Sequence, residues 1–154
     1  MKKIKLWVII AIFSCGFYVA YGIIFEPVYG NTFVYWNVQG QHKGDPLLLP
    51  LNSALEMYIC AGAPFDVCNF EIKTYIVFMD VAMPIPHAER GRDWLCVENG
   101  LPVQQGKDLM CRFHLQIPKQ FVAGFTGELR VELWDPNVNL IAAGKTKIKV
   151  VDNL

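Results

Sequence analysis

A chain of 154 residues is long enough to bury one real core and short for several domains. With 53% apolar and 18% charged residues, it is not a disordered chain. Its 14 basic and 14 acidic residues cancel, and no basic stripe offers a grip on a nucleic-acid backbone.

The first segment, MKKIKLWVIIAIFSCGFYVAYG, has three lysines, no acid and an apolar run from Leu6 onward. Residues 1–22 read as a secretory signal peptide, with Ala20 and Gly22 supplying the small residues before the cleavage point. An uncleaved anchor is the rival reading, because Leu6 to Phe25 is 20 residues, enough to span a bilayer. Both readings put residues 23–154 outside the cytosol as one domain. Without residues 1–22 the chain keeps 11 basic and 14 acidic residues, a formal charge of −3. That overall sign argues against an electrostatic grip on anionic membranes.

Past residue 22 the chain reads as strands. NTFVYWNV is aromatic and β-branched without a helical period. ALEMYIC alternates, with Leu55, Met57 and Ile59 on one face. NFEIKTYIVFMDV sets Phe70, Ile72, Ile76 and Phe78 against Glu71 and Lys73. In DLMCRFHLQI, Leu109, Cys111, Phe113, Leu115 and Ile117 face in, while Arg112, His114 and Gln116 face out. GELRVELWD turns Leu129, Val131 and Leu133 inward, and KTKIKVV gathers Lys145, Lys147 and Lys149 on one face. Period-two alternation repeated this often, with Gly, Pro and Asn between the runs, predicts an all-β sandwich of about seven antiparallel strands. There is no internal repeat, linker or low-complexity tract.

Cys15 lies in the leader, which leaves Cys60, Cys68, Cys96 and Cys111. An even number in a secreted chain suggests two disulfides, and four cysteines allow three pairings. Pairing by hairpin neighbourhood joins Cys60 to Cys68 across AGAPFDV and Cys96 to Cys111 across VENGLPVQQG. A free thiol at the inward Cys111 is the competing expectation.

The chemistry-bearing residues do not assemble into a motif. His114 lies three residues after Cys111, which on a strand puts the two side chains on opposite faces. His42 and His87 fall in loops beside charged neighbours, and Glu128 and Glu132 share an exposed face. No HExxH, GxSxG, P-loop or CxxC occurs, so neither enzyme, metal site nor cofactor is indicated. The loops are less ordinary. Met83, Pro84 and Ile85 stand in one connection, and Phe121, Val122 and Phe125 in another. Connections are normally polar, so two apolar ones mark either the cap of a core or the lip of an apolar pocket.

The segment from Phe70 to Lys119, followed by GELRVELWDPNVNLIAAGKTKIKV, resembles the ML-domain family. These lipid-recognition domains include the Niemann-Pick sterol carriers, the group 2 mite allergens and fungal phospholipid-transfer proteins. The resemblance rests on a strand leading into an apolar Pro-rich loop, then Cys96, then Pro102-Val103-Gln104-Gln105-Gly106, then a strand closing on Ile117-Pro118-Lys119. It covers residues 55–151, and residues 23–54 fit only loosely. Leu101 stands where the family has its second central cysteine, and Ala142 and Ala143 stand where a late cysteine would fall. The cysteine framework is therefore this chain's own.

The resemblance implies an immunoglobulin-like sandwich whose interior accepts a sterol or acyl chains, in a secreted or endolysosomal protein. The inward residues Met57, Ile59, Phe70, Ile72, Ile76, Phe78, Leu109, Phe113, Leu115, Leu129, Val131 and Leu133 would then be walls. Met83, Pro84, Ile85, Phe121 and Phe125 would form the entrance. Expected partners are a lipid or sterol and a membrane or membrane receptor. An extracellular interaction module with a solid core, acting through aromatics such as Trp36 and Trp134, is the alternative.

Overall fold

The computed structural model describes residues 26–27, 31, 33–38, 46–85, 95–97 and 100–152. The leader or anchor over residues 1–22 lies outside the described residues, as do His42, His87 and Pro86. Ten strands and no helix occupy the described part: β1 (Glu26–Pro27), β2 (Phe33–Val38), β3 (Leu47–Pro50), β4 (Ala54–Gly62), β5 (Glu71–Phe78), β6 (Val81–Pro84), β7 (Leu95–Val97), β8 (Asp108–Gln116), β9 (Thr126–Trp134) and β10 (Leu140–Val151). They form a sandwich of a six-stranded sheet, β1-β10-β9-β5-β6 with β3 also on β10, and a four-stranded sheet, β2-β4-β8-β7. The all-β sandwich is as the alternation predicts, and its immunoglobulin-like form is what the resemblance implies. Strands beyond the expected seven or so are short pieces; β1, β3, β6 and β7 have two, four, four and three residues. All pairings are antiparallel except that of β3 with β10.

The core follows from the side-chain period. Along β8 every second residue from Leu109 to Leu115 is buried, and along β5 the buried positions are Ile72, Thr74 and Ile76. Residues directly opposite in an antiparallel pair share a face, so the register sets whole stripes. Met57 lies opposite Phe113 and Leu55 opposite Leu115 in one sheet, and Ile72 opposite Leu133 and Ile76 opposite Leu129 in the other. Eleven of the twelve residues expected as walls are buried in one continuous cluster. Each such large apolar side chain contributes about 1.5–3 kcal/mol by leaving water.

Phe78 is the exception, 41% exposed. Its parity on β5 is inward, but the strand ends there and Met79 and Asp80 turn the chain back. The ring therefore projects at the end of the sandwich and meets Phe125 at a tilt of 50°, ring centroids 5.3 Å apart. Thr74 takes an interior place that alternation of hydrophobic residues does not reveal. Its hydroxyl donates to the Ile85 carbonyl at 3.0 Å, and its own carbonyl accepts the Ile85 N–H at 2.9 Å. A buried hydroxyl so partnered carries little desolvation penalty.

The chain crosses between sheets from β8 to β9 through residues 117–125. That connection is pinned to the end of β10, where Gly124 N–H donates to the Val150 carbonyl at 2.7 Å and Val150 N–H to the Phe125 carbonyl at 2.8 Å. Gly124 has φ +87°, a conformation side-chain-bearing residues rarely adopt.

Neither expected disulfide is formed. Cys68 is an exposed free thiol in the loop after β4, whereas Cys60 is buried on the strand itself, so the Cys60–Cys68 bridge is absent. Cys111 is also a free thiol, buried, and the register puts Val97 rather than Cys96 opposite it. The side chain of Cys96 lies outside the described residues. Burial, reinforced by the nearby Cys60, pushes the Cys111 thiol up to about 12.

Three outcomes are expected. Gly127→Ala should destabilise the fold by about 1–3 kcal/mol in urea denaturation, the range for an overpacked site, because an added Cβ would lie 2.8 Å from the Val77 carbonyl oxygen and 3.2 Å from Phe125 Cε1. At pH 8 a thiol reagent should modify Cys68 promptly and Cys111 only after unfolding. Since the folded protein holds the Cys111 proton more tightly than the unfolded chain, the stability this contributes should be complete below pH 9.0 and decline as pH rises toward about 12.

Candidate functional site

Two loops converge where the sandwich ends. The β5–β6 hairpin brings Met83 and Pro84 along the edge of the six-stranded sheet. The 117–125 connection brings Pro118, Gln120, Phe121, Val122 and Phe125 to the same place. Together they line an apolar cleft of about 290 Å³. The rings of Phe121 and Phe125 meet tilted, with centroids 5.0 Å apart, and Phe125 also meets Phe78, so one ring joins the 117–125 connection to the end of β5. Met83, Phe121 and Phe125 are only partly buried and pack directly on the core cluster. These three side chains therefore stand between the cleft and the core.

Four of the five residues expected at an entrance meet in this cleft: Met83, Pro84, Phe121 and Phe125. Ile85 does not. It is 4% exposed, tied to Thr74 through both backbone groups and counted within the core. The Pro84-Ile85 step carries the chain off the strand edge, and the pairing with Thr74 turns Ile85 inward. Pro118, Gln120 and Val122 complete the lining; the sequence marked Val122 as an apolar residue of the connection without placing it at the entrance, the Ile117-Pro118-Lys119 turn placed a bend there, and Gln120 was not distinguished.

The outward faces hold the polar chemistry. Glu132 is nearly shielded, 4% exposed, yet partnered: Trp134 Nε1–H donates to Oε2 at 2.8 Å, and Arg130 Nε lies 3.1 Å from Oε1, close enough for an ion pair though off a hydrogen-bond axis. Arg130 also stacks over Tyr75 at 5.0 Å and Lys73 over Trp134 at 5.7 Å. Trp134 is therefore a half-buried strut in a charged ladder. On the other sheet Arg112 pairs with Glu56 at 3.2 Å. The turn after β9 is closed by Asp135, which accepts from Asn139 N–H at 2.6 Å and Nδ2–H at 3.0 Å; these bonds hold its carboxyl below the usual range. Among the described residues no group of three or more His, Cys, Asp or Glu side chains could hold a metal ion.

The fold can now be compared. No family model matches the sequence, and no curated protein matches it. The backbone does match solved structures. A Niemann-Pick type C2 protein from the Japanese carpenter ant superposes with a TM-score of 0.68 at 17% identity, over 82% of this chain and 98% of that one. The likeness is one of fold. The C-terminal domain of wzt follows with a TM-score of 0.53 at 12% identity, over 85% of this chain and 79% of that one. Near-complete coverage of the ant protein means that the present chain contains that sandwich end to end.

If Phe125 links the two loops, its ring contacts should be measurable by a double-mutant cycle. Phe78→Leu and Phe125→Leu should show a coupling of about 0.5–1.5 kcal/mol, typical of an aromatic pair. Additive effects would mean that the two loops are independent.

Proposed function

We propose that the protein is a non-enzymatic lipid carrier of the extracellular or endolysosomal space, holding a sterol or acyl-chain lipid between its two sheets for transfer or presentation. The observation that carries this reading is the convergence of Met83, Pro84, Phe121 and Phe125 on one apolar cleft, with Met83, Phe121 and Phe125 packed against the core. Met83 and Pro84, implied by the ML-domain resemblance, meet Phe121 and Phe125, expected from the apolar connection, although the two segments are far apart in sequence, and packing alone does not require partly exposed aromatics at one end. The likeness of the fold to a Niemann-Pick type C2 protein supports the same reading.

The chemistry needed is modest. A cleft of about 290 Å³ sits at the lower end of the range of about 300–1,000 Å³ for small-molecule sites. It receives the end of a chain, and a larger ligand requires the β5–β6 hairpin to move off the 117–125 connection. Burying about ten methylenes gains roughly 8 kcal/mol, at about 0.8 per methylene, before association costs are subtracted. Hydrocarbon walls suffice for this, and no proton transfer or nucleophile takes part.

A second reading, an interaction module with a solid core, draws on the continuity of the buried cluster. One substitution separates the two. Val131 is fully buried on β9. Val131→Trp should abolish uptake of a fluorescent sterol or fatty acid while the fold persists, since the indole occupies ligand space. In a solid core the same change overpacks the interior, costing about 1–3 kcal/mol or more, and the wild type takes up no lipid.

A further inference from the structure

The end of the sandwich away from the cleft is held differently. In the four-stranded sheet, Gln116 leads into the 117–125 connection and pairs with Ala54, whereas Gly62 pairs with Asp108 at the other end. In the six-stranded sheet, Thr126 follows that connection and Leu140 pairs with Trp134, where β9 finishes. Gly62 and Leu140 therefore both lie remote from the cleft, one on each sheet.

β10 enters its sheet there through an irregularity. Leu140 pairs with Trp134 and Ala142 with Leu133, so Ile141 has no partner on β9. A bulged residue of this kind is left out of the ladder. Ile141 is fully buried, and a buried carbonyl without a donor costs free energy. The bulge thus creates a demand for a donor from outside the sheet.

Asn31 meets that demand. It lies between β1 of the larger sheet and β2 of the smaller, where the chain crosses from one to the other. Its Nδ2 donates to the Ile141 carbonyl at 3.1 Å and to the Gly62 carbonyl at 2.6 Å. Its own backbone carbonyl accepts the Ala143 N–H at 3.0 Å. One residue therefore makes two bonds to the six-stranded sheet and one to the four-stranded sheet. The residue type matters, because a primary amide carries two N–H donors on one uncharged nitrogen. An ionised carboxylate of the same shape has none.

The two ends contrast in the kind of force that holds them. At the cleft Phe78 meets Phe125, and such ring contacts tolerate sliding. Hydrogen bonds weaken steeply as they bend, so the sheets cannot part at Asn31 without losing them.

We propose that Asn31 is a clasp that holds the two sheets together opposite the cleft and confines their separation to the cleft end. It positions the sheets and touches no ligand. Its geometry is independent of the lipid-carrier reading, whereas its purpose, leaving a hydrocarbon one way in and out, rests on that reading.

Cys111 is a native reporter for the test. It is buried on the inward face of β8, toward the Asp108 end, which is the clasped end. A thiol reagent reaches it when the sheets part there or when the whole protein unfolds. Urea denaturation measures the second route, so the first can be separated from it. In the full chain, Asn31→Asp keeps the side-chain shape and removes both donors, and Asn31→Ala removes them without adding charge. Asn31 is exposed, so neither change opens a hole in the core. Both should speed Cys111 modification and hydrogen exchange at the Ala143 amide by about tenfold beyond the change in global stability, the size of one or two net hydrogen bonds. The Gly124 and Phe125 amides at the cleft should shift only as global stability does. A uniform shift at both ends would make Asn31 an ordinary stabilising residue and overturn the proposal. So would an effect of Asn31→Asp alone, which would trace it to the new charge, or no effect of either variant. Uptake of a fluorescent fatty acid by the wild type is read separately. Its absence sinks the carrier and leaves the clasp, while the overturning results sink the clasp and leave the carrier.

Discussion

The inward stripes, Met57, Ile59, Phe113 and Leu115 on one sheet and Ile72, Ile76, Leu129 and Val131 on the other, leave water only by facing each other. A sheet with one apolar face has no other way to bury it, and a strand cannot shift by a single residue without turning that face outward. Cover fails where the strands end. There Phe78 overshoots its sheet, Met83 and Phe125 rest half on the core and half in solvent, and the 117–125 connection closes the gap without sealing it. The cleft is a consequence of that unfinished end.

This is also where the two hydrogen-bonded constraints act. Thr74 and Ile85 fix the far side of the β5–β6 hairpin, while Gly124 and Val150 fix the 117–125 connection to β10. Between these anchors the contact across the cleft is made of rings and a thioether, which are non-directional and weak individually. A hinge built this way can part without breaking a hydrogen bond. That property suits the carrier role proposed above.

Most of the fold was legible in the sequence because period two is a strong signal wherever a strand has one wet face. DLMCRFHLQI and GELRVELWD show it without ambiguity; β8 follows it residue by residue, and β9 departs from it only where Glu132 is buried along with Val131 and Leu133. β3 was not visible, because Leu47-Leu48-Leu49-Pro50 has no alternation and reads equally as a loop. Thr74 was hidden by its hydroxyl, and Phe78 was misplaced because alternation says which face a residue takes and not where the opposing sheet stops. Ile85 went astray for a similar reason: the apolar loop was treated as one unit, whereas backbone pairing to Thr74 divides it. The cysteine pairing failed because turn-rich spacing does not report the strand register, and Val97, not Cys96, lies opposite Cys111. Of the entrance, the aromatic members were legible because aromatics are out of place in a connection.

Native mass spectrometry of the protein purified from a eukaryotic secretion system, without added detergent or lipid, addresses the central claim most directly. The account predicts a species heavier than the bare chain by the mass of one sterol, fatty acid or phospholipid, lost on delipidation and restored by adding the same lipid back. A single bare-chain species that stays bare when offered sterols, fatty acids and phospholipids would contradict it.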